Sequence, residues 1–156
     1  MVQFVIKILN RYSTDRDIKS LFAYIAGRGS NERTESIISV GGYGVSNKYK
    51  KAAEQIIKIQ KLYGKDNGRR CYQIIISFPR QMSDRNLVIL IADAVSDMIF
   101  EEMHYQVFYG VHTSTDNLHI HFAINAVNYK SGKKWHQNNA ETREFINQIQ
   151  NRIYDI

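Results

Sequence analysis

The sequence predicts an α+β fold, with a central antiparallel β-sheet and helices packed on it. Three observations carry this prediction. Apolar alternation marks short strands, 3.6-residue periodicity marks helices between them, and the turn-forming stretch "TSTDN" joins two consecutive strands as a hairpin, which requires antiparallel pairing. At 156 residues the chain reads as one domain, 1–156. Hydrophobic residues make up 44%, enough to bury a proper core and to argue against a disordered chain.

Residues 2–8, "VQFVIKI", alternate as a first strand, and the turn formers after them offer Thr14 or Asp15 as a helix cap. In the helix that follows, Ile18, Leu21, Phe22 and Ile25 recur at i, i+3, i+4 and i+7. Tyr24 lies about 100° round from the middle of that stripe, where its ring can pack while its hydroxyl reaches outward. "SIISV" reads as a short strand and "GGYG" as a turn. From Lys48 to Tyr63 a basic helix buries Tyr49, Ala52, Ala53, Ile56, Ile57 and Tyr63. "CYQIIISF" is a buried strand, and Ser83 or Asp84 caps a helix whose inner face is Leu87, Leu90, Ile91, Ala94, Val95 and Met98. Strands near 105–112 and 118–127 form the hairpin, "NYKSGKKWH" holds a Ser-Gly turn that opens a last short strand, and residues 139–154 close as a helix. The element order is β-α-β-α-β-α-β-β-α.

A net charge of +6 and a pI near 9.4 favour a phosphate-bearing partner. The single cysteine, Cys71, excludes an internal disulfide and a thiolate metal cluster, and fits a reducing compartment. The opening apolar run is too short for a signal peptide, and Asp93 and Asp97 interrupt the stretch from Leu87 to Phe100, so a soluble, cytoplasmic protein without membrane insertion is expected.

The segment with most chemistry is "HTSTDNLHIHFAINAVN", which carries three of the five histidines. Strand alternation sends Leu118, Ile120, Phe122 and Ile124 to one face and His119, His121, Ala123 and Asn125 to the other. Across the hairpin His112 falls opposite His119 and Gly110 opposite His121, so three imidazoles converge, with Gly110 leaving space beside them. Three neutral nitrogen donors form an open site suited to Zn, Mn, Co or Ni, and with added water or phosphate oxygens to Mn or Mg. Beside a basic surface, such an ion points to phosphodiester chemistry. His104 and His136 lack ligand spacing, and His136 follows Trp135 in a lysine-rich turn.

These residues resemble the metal motif of conjugative and mobilization relaxases, members of the histidine-hydrophobe-histidine (HUH) endonucleases. Ile120 is the hydrophobe, His112, His119 and His121 match the ligands, and Asn125 and Asn128 match the "HxHxxxNxxN" continuation. The likeness reaches back through the first strand and helix and "ISVGGYGVS", and it implies the HUH palm fold. It further implies a divalent metal cofactor and a tyrosine nucleophile on the helix after the first strand, where Tyr24 stands. The product would be a covalent 5′-phosphotyrosine on single-stranded DNA at a transfer origin, beginning mobilization of a plasmid or integrative element with accessory relaxosome proteins. Tyr12 is the rival nucleophile, read as a loop residue. Many relatives carry an acidic residue where this chain has Ser114; Asp116 either takes over the orienting of a ligand imidazole or shapes the turn. Asn125 joins it as a second polar support of the site. Lysines of the 48–61 helix, Lys65, Arg69, Arg70, Lys130, Lys133 and Lys134 are candidates for DNA phosphates, His136 for a substrate contact, and Trp135 and Tyr129 for stacking on unpaired bases. The alternatives are an HUH replication initiator and a non-catalytic DNA-binding accessory module. The helical pattern running almost to Ile156 also fits a domain cut from a longer relaxase.

Overall fold

The computed structural model describes residues 2–28, 36–114, 117–136 and 138–156. Five strands form one antiparallel sheet in the order β1-β3-β5-β4-β2: β1 Val5–Tyr12, β2 Ser36–Tyr43, β3 Cys71–Ser77, β4 Val107–Thr113 and β5 Leu118–Asn125. Four helices cover it: α1 Asp15–Ile25, α2 Tyr49–Leu62, α3 Arg85–Asp97 and α4 Asn139–Tyr154, with a π turn Met98–Glu102 extending α3. The order of elements is the predicted one.

Each face of the sheet has its own apolar layer. On one side Ile74, Ile76, Ile120, Phe122 and Ile124 meet α3 and α4. On the other, Phe108, Ala123 and Cys71 meet Ile18, Phe22 and Ile25 of α1 and Ala52, Ala53 and Ile56 of α2. The alternation along β5 therefore gives Ile120 and Phe122 to the first layer and points the histidines toward α1. Phe22 stacks on Phe108 with ring centroids 5.2 Å apart, seating α1 directly over β4.

Three local expectations change. Gly41 and Gly42 belong to β2 instead of a turn. A Cβ on Gly41 would lie 2.5 Å from the Tyr109 ring, so the glycine is there for close packing across the β2–β4 pair. Tyr12 ends β1 rather than lying in a loop. In α3 the buried face is Val88, Ile91, Ala92 and Val95, whereas Leu90 is 52% exposed and Leu87 and Ala94 are only partly covered. The run "LVILIA" is apolar all round, so its periodicity defines no single stripe, and docking on the sheet selects one. Asp84 is the α3 cap, accepting from the Leu87 amide. The last expected strand is reduced to one bridge, Val127 with Lys134.

Candidate active site

The hairpin register places His112 opposite His119 and Gly110 opposite His121. All three histidines are buried, and one nitrogen of each lies within 4.8 Å of the others. Ring centroids are 4.4 Å apart for His112 and His121, 5.0 Å for His119 and His121, and 5.5 Å for His112 and His119.

Two of the rings are held by carbonyl oxygens. His112 Nε2 is 2.7 Å from the Ile25 carbonyl at the end of α1, and His121 Nδ1 is 2.7 Å from Gln73 Oε1 on β3. A carbonyl oxygen only accepts, so each of these nitrogens carries the proton and donates. The lone pair then resides on His112 Nδ1 and His121 Nε2. Donating one ring N–H to an oxygen while presenting the other nitrogen is how metal-ligating histidines are normally oriented. The trio thus fits a divalent ion by spacing, and His112 and His121 also fit by tautomer; an all-nitrogen donor set leaves further coordination positions for oxygen.

Gln73 is itself fixed, because its Nε2 donates to the Tyr12 hydroxyl at 2.6 Å. Burial pushes the Tyr12 phenol upward from its ordinary pKa, with the hydrogen bond from Gln73 partly offsetting this. Neither Gln73 nor the Ile25 carbonyl was expected from the sequence. For Gln73 a signal existed: it is an amide in the middle of the apolar strand "CYQIIIS", and a buried amide needs a partner. The Ile25 carbonyl left no signal, since any residue type supplies one.

Gly110 does leave space beside the cluster, and α1 occupies it. A Cβ there would sit 2.3 Å from the Ile25 carbonyl oxygen and 3.1 Å from His112 Nε2. The missing side chain lets the end of α1 reach the sheet and bond His112.

That contact carries Tyr24 to the cluster. Its half-buried ring lies 5.3 Å from the His121 ring and 5.8 Å from that of His112, centroid to centroid. Tyr24, Tyr12, Arg11, Gln73 and His121 line one cavity. The arrangement brings an aromatic hydroxyl, a basic side chain and three imidazoles to one place on the α1 side of the sheet.

Other expected residues lie elsewhere. Asn125 points to the same face as the histidines but four residues further along β5 than His121, about 13 Å away. Its Oδ1 accepts from Gln60 Nε2 and the Val127 amide, and its Nδ2 donates to Gln106 Oε1. It therefore joins α2 to the far end of the sheet, and support of His121 falls to Gln73. Arg70 is 3% exposed and bonds Asp15 Oδ1 at 2.6 Å and Gln60 Oε1 at 2.8 Å, which removes it from the phosphate contacts. Trp135 is 8% exposed, its ring 4.2 Å from Tyr72 and 4.6 Å from Phe145, centroid to centroid, so packing replaces the expected base stacking. Tyr129 stacks on Phe100 and donates to its carbonyl. Lys130, Lys133 and His136 are exposed, but beyond the end of β5 remote from His119. Lys134 bonds the Asn67 carbonyl there. Asp116 falls outside the described residues. Among the described residues no helix is long and apolar enough to cross a membrane.

The family described as "Relaxase: MobA/VirD2-like, nuclease domain" matches residues 24–154. The chain belongs to this relaxase family. Two curated relatives, each named "Protein rlx" from Staphylococcus aureus, are similar to it. One is 32% identical over 93 residues, 59% of this chain and 28% of the relative; the other is 27% identical over 134 residues, 82% and 39%. The relaxase domain thus spans well under half the length of these relatives. A solved structure described as "Molecular Basis of Vancomycin Resistance Transfer in Staphylococcus aureus" has the same fold, with TM-score 0.62 and 16% identity over 98% of this chain and 90% of that one. The buried histidine trio could hold a metal ion.

Proposed function

We propose that the protein is a metal-dependent, site- and strand-specific DNA nickase that forms a covalent 5′-phosphotyrosine and starts conjugative mobilization of a plasmid or integrative element from the cytoplasm. The single observation that carries this reading is Tyr24 seated beside three converging imidazoles, two of which, His112 and His121, donate one ring N–H to a carbonyl oxygen and keep the other nitrogen unprotonated.

His112, His119 and His121 would hold the divalent ion, Mn or Mg before Zn, Co or Ni. When bound it supplies a Lewis acid for a non-bridging phosphate oxygen, stabilising the charge that grows at phosphorus. Tyr24 supplies the nucleophile: its oxygen forms a bond to phosphorus, the bond from phosphorus to the 3′ oxygen breaks, and the electron pair leaves on that oxygen. The phenol loses one proton and the departing 3′ oxygen gains one. Arg11 lines the same cavity, together with Asp17, and its guanidinium would meet the phosphate there. Because the phosphotyrosine is a diester like the bond it replaces, the 3′ hydroxyl can reverse the step and rejoin the strand. Lys130, Lys133 and His136 would meet DNA only at a distance from the nick.

The test is incubation with single-stranded transfer-origin DNA and Mn or Mg, followed by denaturing electrophoresis. A protein–DNA adduct that disappears in Tyr24→Phe is expected. An adduct that persists in Tyr24→Phe and vanishes in Tyr12→Phe would move the nucleophile to Tyr12, and DNA binding with no adduct under any metal would leave an accessory module.

A further inference from the structure

Beside Tyr24 a second cavity of about 700 Å³ runs between α1 and α2, and three basic side chains and two carboxylates line it. From α1 it is lined by Arg16, Lys19, Ser20 and Ala23, which recur at i, i+3, i+4 and i+7 and so share one helix face. From α2 come Tyr49, Lys50 and Ala53. Arg16, Lys19 and Lys50 are exposed, and among the described residues none of the three enters an ion pair. Two carboxylates also line the groove. Asp15 is bonded by Arg70 and Lys61, and Glu54 stands one turn from Lys50, so the balance stays positive. Tyr49 is half-buried, with Lys50 Nζ 6.0 Å from its ring centre.

This groove and the Tyr24 cavity meet at Ser20, which lines both. Around α1, Tyr24 lies about 40° from Ser20, on the flank next to the basic face. Along the helix axis Arg16 and Tyr24 are about 12 Å apart.

We propose that the groove between α1 and α2 binds the part of the single DNA strand adjoining the scissile phosphate, with Arg16, Lys19 and Lys50 on backbone phosphates and Tyr49 stacked on a base. The assignment rests on the nicking reading for its substrate and adds the track by which the strand reaches Tyr24. Charge complementarity selects a polyanion, and continuity with the Tyr24 cavity selects the substrate strand over any other anion. An aromatic ring among cations is the pairing that unpaired nucleic acid uses: phosphates meet charge while a base meets a π face.

The test is fluorescence anisotropy of the full chain with a fluorescein-labelled single-stranded oligonucleotide spanning the transfer origin, across a salt series. Each phosphate contact contributes about 0.7 to the slope of log affinity against log salt, so the triple variant R16Q/K19Q/K50Q should lower its magnitude by about 2. Tyr49→Ala should weaken binding roughly 5- to 100-fold while Tyr49→Phe, which keeps the π face, retains affinity. Circular dichroism establishes that each variant is folded. An unchanged slope in the folded triple variant, or a loss found only in K130Q/K133Q, overturns the groove. Adduct formation in the same samples separates the two readings. A slope reduced as expected without any adduct keeps the groove and removes the nicking; an adduct with an unchanged slope does the reverse.

Discussion

At the scale of single residues, the site depends on which nitrogen of each imidazole carries its proton. Gln73 settles this for His121, and its amide is held in turn by the Tyr12 hydroxyl. Gln73→Leu should therefore weaken Mn binding about 10- to 100-fold by titration calorimetry. Gln73→Glu, which still offers an accepting oxygen, should recover most of that affinity. Equal loss in both variants would mean that Gln73 only fills space. Cys71 provides a separate check on the described core. Burial pushes its thiol up to about 12, so it should resist thiol reagents at pH 8 until the protein is unfolded. The histidine trio was legible because strand alternation and a tight hairpin are local rules. Gln73 and the Ile25 carbonyl were not, since each meets its histidine from an element that sequence spacing does not place.

Among the elements, α1 matters most because it delivers Tyr24. Thr14 and Asp17 form a reciprocal cap at its start, Asp15 ties its first turn to Arg70, and the Ile25 carbonyl binds His112 at its end. The hydrogen bond from Arg70 holds the Asp15 carboxyl below its usual 3.8. A depressed carboxylate contributes stability above its unfolded value and loses it as pH falls through the folded one. The melting temperature of Asp15→Asn should therefore lie below that of the unsubstituted protein at pH 5–7, with the gap closing below about pH 3.8. A gap constant with pH would deny the pairing an electrostatic role. At the other end, Gly110→Val must push α1 off the sheet. Overpacking of this kind typically costs about 1–3 kcal/mol, and adduct formation should fall further than the fraction folded, because the displaced helix carries Tyr24 with it. The helix α1 and its apolar face were readable from a clean periodic stripe. The rotation of α3 was not, because a helix apolar on every side has no preferred face until the sheet supplies one.

Across the whole molecule, the sheet separates two tasks. Its α3 and α4 side is an apolar layer, and its α1 and α2 side combines a smaller core with the histidines, Tyr24 and the basic groove. A ligand that binds only the folded state stabilises it by mass action, by about 2.7 kcal/mol at a hundredfold excess over Kd. Saturating Mn should thus raise the melting temperature of this 156-residue chain by roughly 5–10 °C. His119→Ala should abolish the rise; an equal rise in that variant would place the ion elsewhere.

By itself the sequence determined the order of elements, the antiparallel hairpin and the face on which the histidines stand, because these follow from period, turn chemistry and strand alternation between near neighbours. Only the tertiary structure decided that Tyr24 reaches those histidines, that Gln73 and the Ile25 carbonyl orient them, and that Asn125, Arg70 and Trp135 serve the fold instead. Such pairings are made by packing between residues up to 87 positions apart, as for Ile25 and His112, and no local pattern encodes them.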